Sequence, residues 1–160
     1  EVRGGTAALT LAKPLARAAF VIGKWLSQAL VVVAGAALAT LICAVLTRLL
    51  FDAGPAARLA PAVSLWVAYA LMLLAVLVLL SVELRAPAAA SGAGVGAYAA
   101  LLVLAQFDVT SRVTPAGLPA AGLAVVQGES AHWVGPLIAT VVVGAACLVV
   151  AVLRFRRREI

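Results

Sequence analysis

Residues 29–46 read ALVVVAGAALATLICAVL, eighteen consecutive positions with no charge, no proline and no amide side chain. At about 1.5 Å per residue a helix of this stretch is roughly 27 Å long, close to the ~30 Å hydrocarbon core of a bilayer. A surface helix of a soluble protein keeps a polar face. This stretch has none. The choice lies between a membrane span and a helix inside a large soluble core, and composition decides it. The chain has 160 residues, 66% of them hydrophobic and 11% charged, with a mean hydropathy of +1.18. Soluble domains are about 45–50% apolar and about 25% charged. The composition is that of an integral membrane protein.

Outward from this stretch, four apolar runs appear, at 18–51, 62–82, 88–107 and 134–153. Each reaches the roughly 20 residues needed to cross. They are continuous rather than alternating, which favours helices over barrel strands. The expected fold is all-α: a polytopic transmembrane bundle, one domain over 1–160, with four spans. The first run is longer than a bilayer requires, roughly 50 Å as a helix. Its excess lies at the start, around Arg17 and Lys24, so the helix projects from the bilayer there. It stops near Asp52, where Gly54-Pro55 follows. The connections 52–61 and 83–87 are short and make antiparallel hairpins. The connection 108–133 is long, holds Pro115 and Pro119, and contains the apolar piece AGLPAAGLAVV. Loops of this length usually carry structure or function. Short helices at, or dipping into, the membrane interface are expected.

Basic residues orient the bundle. Arg3, Lys13, Arg17, Lys24, Arg85, Arg154, Arg156, Arg157 and Arg158 fall on one side. Arg48, Arg58 and Arg112 fall on the other. The richer side is read as cytoplasmic, with both chain ends inside, as four crossings require. Trp25, Trp66, Tyr69 and Trp133 fall near the predicted interfaces, as aromatic belts do. The net charge of +6 sits at the ends of apolar runs, so it serves topology and implies no nucleic-acid partner. The chain starts at Glu1 rather than Met, and further spans are expected upstream.

Little in the chain points to chemistry. No G-x-x-x-x-G-K-[ST] pattern occurs, and Gly23-Lys24 lacks both the earlier glycine and the following hydroxyl. His132 is alone, and a histidine informs only with partners. Cys43 and Cys147 each lie inside an apolar run, where a thiol acts as a small hydrophobe. No Ser/His/Asp set and no paired carboxylates can be assembled. The chain is expected to be non-catalytic and to hold neither cofactor nor metal. Gly92 and Gly96 form a G-x-x-x-G in the third run, suited to close helix approach. Ordinary packing within the chain and a movable or dimer-facing seam are both open. Arg48 and Asp52 are spaced to pair weakly on one helix face. Glu83 and Arg85 read as interfacial, and the closing RFRRRE as a topology anchor.

The stretch 13–25, KPLARAAFVIGKW, carries three cations just ahead of the first span. The residue before a proline avoids the α region, while proline suits a helix's first turn. Lys13-Pro14 therefore ends one element and starts the next. Arg17 and Lys24 share a helical face, and with Trp25 they form an elbow at the membrane surface. A signal peptide is excluded, because the apolar part is too long and three more spans follow.

With its neighbours, this stretch resembles the first cytoplasmic loop of ABC-2-type transporter permeases. The matching residues are Gly5-Thr6, Leu9, Leu11, Lys13-Pro14-Leu15-Ala16-Arg17 and Ile22-Gly23-Lys24-Trp25. Ala16 stands where serine is more usual. The segment TPAGLPAAGLAVVQGE is similar to the family's external helical hairpin, and LRFRRREI to its basic close. The resemblance implies the membrane subunit of an ATP-driven exporter. Six spans are usual, of which the first two would lie upstream. It implies a second permease copy, homo- or heterodimeric, and a separate ABC ATP-binding subunit that binds the ATP. Residues 1–13 would form the coupling element, with Gly5, Thr6, Leu9 and Leu11 as the docking contact. Lys13, Pro14, Arg17, Lys24 and Trp25 would be the interfacial elbow. The protein would reside in the cytoplasmic membrane. A four-span assembly or scaffold protein without a transport path is the alternative. A secondary transporter or channel is disfavoured, since no Asp, Glu, Lys, Arg or His lies at mid-depth in any span.

Overall fold

The computed structural model describes residues 17–51, 56–84 and 86–157, with the side chains at 17, 51, 56, 57, 156 and 157 left aside. Six α-helices follow in order: α1 Arg17–Phe51, α2 Ala56–Glu83, α3 Pro87–Leu104, α4 Asp108–Ser111, α5 Leu118–Gln127 and α6 Val134–Arg157. A 3₁₀ turn, Pro115–Gly117, precedes α5. No strand occurs among the described residues. The fold is an all-α bundle. Four helices are long and apolar enough to cross a membrane, within Ala18–Leu50, Arg58–Glu83, Pro87–Leu104 and Val134–Phe155.

Three boundaries differ from the sequence expectation, and the last of them is the end of α6, at Arg157 instead of 153. Helix α2 starts at Ala56, with Pro61 inside it rather than closing the preceding connection. A proline so near a helix start removes only one early ladder bond. Helix α3 ends at Leu104 instead of 107. Beyond it the chain tightens into a turn, with Gln106 N–H donating to Val103 O at 3.1 Å and Phe107 N–H to Leu104 O at 3.3 Å.

Helix α2 is the centre of the bundle. Ala62, Leu65, Tyr69, Met72, Ala75, Val78 and Val82 are all buried along it. Their spacing of three and four residues is one continuous helical stripe. Helices α1, α3, α5 and α6 all pack on α2. The tightest neighbour is α6, which turns Pro136, Thr140, Gly144 and Ala151 inward. A Cβ added at Gly144 would stand 3.5 Å from the Met72 Cα, so the two backbones run close. Between spans in lipid there is no net hydrophobic drive, and close van der Waals approach over small residues takes its place. The Thr140 hydroxyl, buried in this seam, donates to Pro136 O at 2.7 Å and leaves no unmet donor.

The long connection folds back on the bundle. Pro115, Ala116, Gly117 and Leu118 are all buried, and Leu118 is 0% exposed. Leu118 packs in one cluster with Leu65, Tyr69 and Met72 of α2, joined by Leu101 of α3 and Leu137 of α6. Helix α5 ends at Gly128, whose φ of 81° is left-handed. There Glu129 N–H donates to Ala124 O at 2.9 Å and Gly128 N–H to Val125 O at 3.2 Å. This double bond pattern meets the orphan carbonyls of the last turn. The Arg58 guanidinium from the start of α2 lies against Gly128, where a cation suits a helix C-terminus.

Candidate functional site: the basic end of the bundle

The start of α1, the end of α2 and the end of α6 meet at the end of the bundle that carries Lys24, Glu83 and Arg154. Val21 of α1 is 4% exposed and packs with Val78 and Val82 of α2 and Ala151 of α6. Trp25, Leu79, Val152 and Phe155 surround them. The rings of Phe20 and Phe155 stack with centroids 5.9 Å apart and planes 16° apart, worth about 0.5–1.5 kcal/mol beyond area burial. Arg154 Nε lies 3.3 Å from Glu83 Oε1. Being largely exposed, this pair adds at most about 1 kcal/mol. Three helices are thus clamped together within two turns of where α1 begins.

The rest of α1 is different. From Leu30 to Leu50 no residue of it is fully buried, and Leu30, Val31, Leu38, Leu41, Leu49 and Leu50 are exposed apolar side chains. Beyond Ala29 the helix meets the bundle along a half-buried stripe of Val32, Ala36, Thr40, Ala44 and Thr47, and its other faces are bare. Helices α1 and α3 both pack on α2, yet not substantially on each other. They leave a lateral groove of about 660 Å³ floored by α2, with Lys24, Ser27, Gln28, Ser81 and Ser91 at one end.

The predicted site residues separate in this frame. Gly5, Thr6, Leu9, Leu11, Lys13 and Pro14 lie outside the described residues, as does Asp52 of the proposed Arg48 pair. Arg17 is the first residue of α1. Lys24 lines the groove and Trp25 packs in the clamp. His132 is exposed, Cys43 is exposed and Cys147 half-buried. No group of metal-ligating side chains is gathered among the described residues.

The first 117 residues match the family model described as ABC-2 family transporter protein. The chain belongs to that family. No curated protein and no solved structure matches it. The match runs from the segment before α1 through the 3₁₀ turn. The chain is thus an ABC transporter's membrane permease, and an integral membrane protein.

In this permease a Cβ added at Gly92 or Gly96 meets nothing within 4 Å among the described residues. The glycine between them, Gly94, is the packed one, since its Cβ would run into Leu77 Cδ2 of α2. A G-x-x-x-G spacing shows that one face is small, but Gly94 is offset from both by two residues, on another face of the helix. The seam that does join spans closely, Pro136-x-x-x-Thr140-x-x-x-Gly144 against Met72, was not singled out from sequence. Its small-residue spacing was there to be found. The Glu83–Arg154 pair was missed because its members lie 71 positions apart, with nothing local to link them.

The Trp25 Nε1 is buried without a hydrogen-bond partner among the described residues. A buried unmet donor costs about 1–3 kcal/mol. Trp25→Phe removes that cost and gives up part of the indole's packing area. Its unfolding free energy in mixed detergent is expected to be unchanged or up to about 1 kcal/mol higher. A loss above that range would mean that the N–H has a partner in the membrane.

Proposed function

We propose that this permease is the transmembrane half of an ATP-driven exporter, worked by a separate ATP-binding subunit through the segment ahead of α1. The observation that supports it is the clamp. Val21, Trp25 and Phe20 tie the first turns of α1 to both α2 and α6. A push delivered just before Arg17 therefore reaches three helices at once. Gly5, Thr6, Leu9 and Leu11 form the docking contact with the ATPase. Lys13-Pro14 is the bend, and Arg17 and Lys24 hold the elbow at the headgroups. The basic end is cytoplasmic, by the positive-inside bias, and the membrane is the cytoplasmic one. ATP binds in the partner, and this chain contributes no catalytic group.

A second permease copy covers part of the exposed apolar surface, and Gly92 and Gly96 face it. The paired substitution Gly92→Leu with Gly96→Leu is expected to leave the unfolding free energy within about 1 kcal/mol, since both positions face open space. It should convert the dimer to monomer in light scattering of the detergent-solubilised protein. A dimer that persists through both changes removes α3 from the interface.

The coupling role is tested with cysteines at Thr6 and Leu9 and the ATPase encoded in the neighbouring reading frame. Crosslinks between the two subunits should form and should change in yield between ATP-bound and nucleotide-free states. Absence of any such ATPase, with the permease purifying alone, would end the reading.

A further inference from the structure

Phe20 and Val21 are neighbours on α1, about 100° apart round the helix, and each meets a different support. Val21 is 4% exposed and sits in a seat made by Val78 and Val82 of α2 and Ala151 of α6. Phe20 stacks on Phe155 of α6, with ring centroids 5.9 Å apart and planes 16° apart. Phe155 also packs against the cluster that seats Val21. Phe20 is in the first turn of α1 and Phe155 in the last turn of α6. The beginning of one span is therefore braced on the end of another, far along the chain.

Behind this joint α2 and α6 form one body. A Cβ added at Gly144 would stand 3.5 Å from the Met72 Cα and 3.7 Å from its Cβ. Thr140 of α6 is 2% exposed and Ala151 is 0% exposed. Helices in such close contact do not slide past each other without overlap. The links at the joint differ in kind. The Glu83–Arg154 pair ties α6 to α2 and is largely exposed, so it is soft. The Phe20–Phe155 stack runs from α1 to α6 directly. Such a pair is worth about two- to tenfold in an equilibrium beyond the area it buries.

We infer that Phe155 is the positioning residue through which a displacement at the start of α1 is delivered to α6, and with α6 to α2. This rests on the coupling reading above and names the contact that carries it. Coupling passes through packed side chains, and here the stack is the contact that selects α6. Val21 keeps α1 in register in its seat, and Phe155 takes the displacement. Leucine at 155 keeps an apolar side chain in the cluster and loses the ring, so the joint stays folded and the link is lost. Tyrosine at 155 keeps the ring.

The test uses the full-length permease assembled with its ATPase in lipid nanodiscs. Amide hydrogen exchange is compared between ATP-bound and nucleotide-free states, peptide by peptide. In the unsubstituted protein, peptides over 17–26 and over 148–157 should both respond to ATP. Phe155→Leu should keep the first response and cut the second about two- to tenfold. Phe155→Tyr should restore it. Phe20→Leu approaches the same contact from α1, and combined with Phe155→Leu it should be no worse than either alone, since both remove one interaction. Arg154→Gln should leave both responses within about twofold. A merely structural role would instead lower the unfolding transition and damp both peptides together. A response at 148–157 that survives Phe155→Leu and Phe20→Leu in full, or that Phe155→Tyr fails to restore, would overturn the inference. So would an unsubstituted protein that responds at 17–26 and not at 148–157, which leaves the coupling reading standing. Silence at 17–26 in the unsubstituted complex overturns both.

Discussion

Gly117→Val is expected to destabilise the permease by roughly 3 kcal/mol or more, within the 2–5 kcal/mol typical of emptying a buried leucine site. A Cβ at Gly117 would fall on the carbonyl oxygen of Ser111, with the carbonyl carbon at 2.7 Å and Cα at 3.1 Å. These are backbone atoms and cannot rotate aside. The 3₁₀ turn has to shift, and Leu118, next in the chain, shifts with it. Leu118 holds Leu65, Tyr69 and Met72 of α2 in one cluster with Leu101 and Leu137. Losing that seat loosens α3, α5 and α6 from the centre together. Unfolding in mixed detergent micelles measures the loss. Gly35→Ala is the control, because nothing lies within 4 Å of its added Cβ, and it should lose nothing. A Gly117→Val protein that unfolds within about 0.5 kcal/mol of wild type, the range of ordinary surface changes, would show that the turn is not seated as described.

Leu9→Glu combined with Leu11→Glu is expected to leave the bundle folded and inserted while abolishing its association with the ATPase. An uncompensated buried charge costs about 3 kcal/mol or more, so two lower the affinity by at least roughly ten-thousandfold. Co-purification and nucleotide-sensitive crosslinking from Thr6 should both vanish, and the detergent unfolding transition should not move. Undiminished binding to the ATPase would take Leu9 and Leu11 out of the contact, with the fold unaffected. A charge change confined to 1–13 that also unfolded the bundle would equally defeat the assignment, because it would place these side chains in the core.

The two substitutions probe opposite ends of what was readable. Ahead of α1 proline chemistry, which is local, leads to the expectation that Lys13-Pro14 ends one element and starts another, and that position lies outside the described residues. The connection holding 115–118 was legible as short apolar helices, which the structure has; that its turn is buried against the bundle was not. Nothing in AGLPAAGLAVV says that Leu118 is fully buried while Leu123 stays exposed. Both are leucines in the same short run, and the difference arises from which side α2 and α6 stand on.

Glycine spacing makes the same point. Gly92, Gly94 and Gly96 are alike in sequence, and only the placement of Leu77 against α3 distinguishes Gly94 from the two beside it. In a soluble helix the polar face would have marked the outward side. In a span apolar all round, lipid and protein ask for similar side chains, so the pattern carries little information about facing.

By itself the sequence determined that this is an all-α membrane protein with four spans, and which family motif it bears; the bend expected at Lys13-Pro14 lies outside the described residues. The spans follow from length against bilayer thickness and the expected bend from the conformational limits of proline, both local properties of the chain. Only the tertiary structure decided that α2 is the hub, that Gly144 and not Gly92 or Gly96 seats the closest pair of spans, and that Arg154 reaches back to Glu83. It also decided that α1 and α3 stand apart over a groove with one polar end. Those are relations between helices far apart along the chain, set by shape and close contact once burial in lipid has stopped discriminating one apolar face from another.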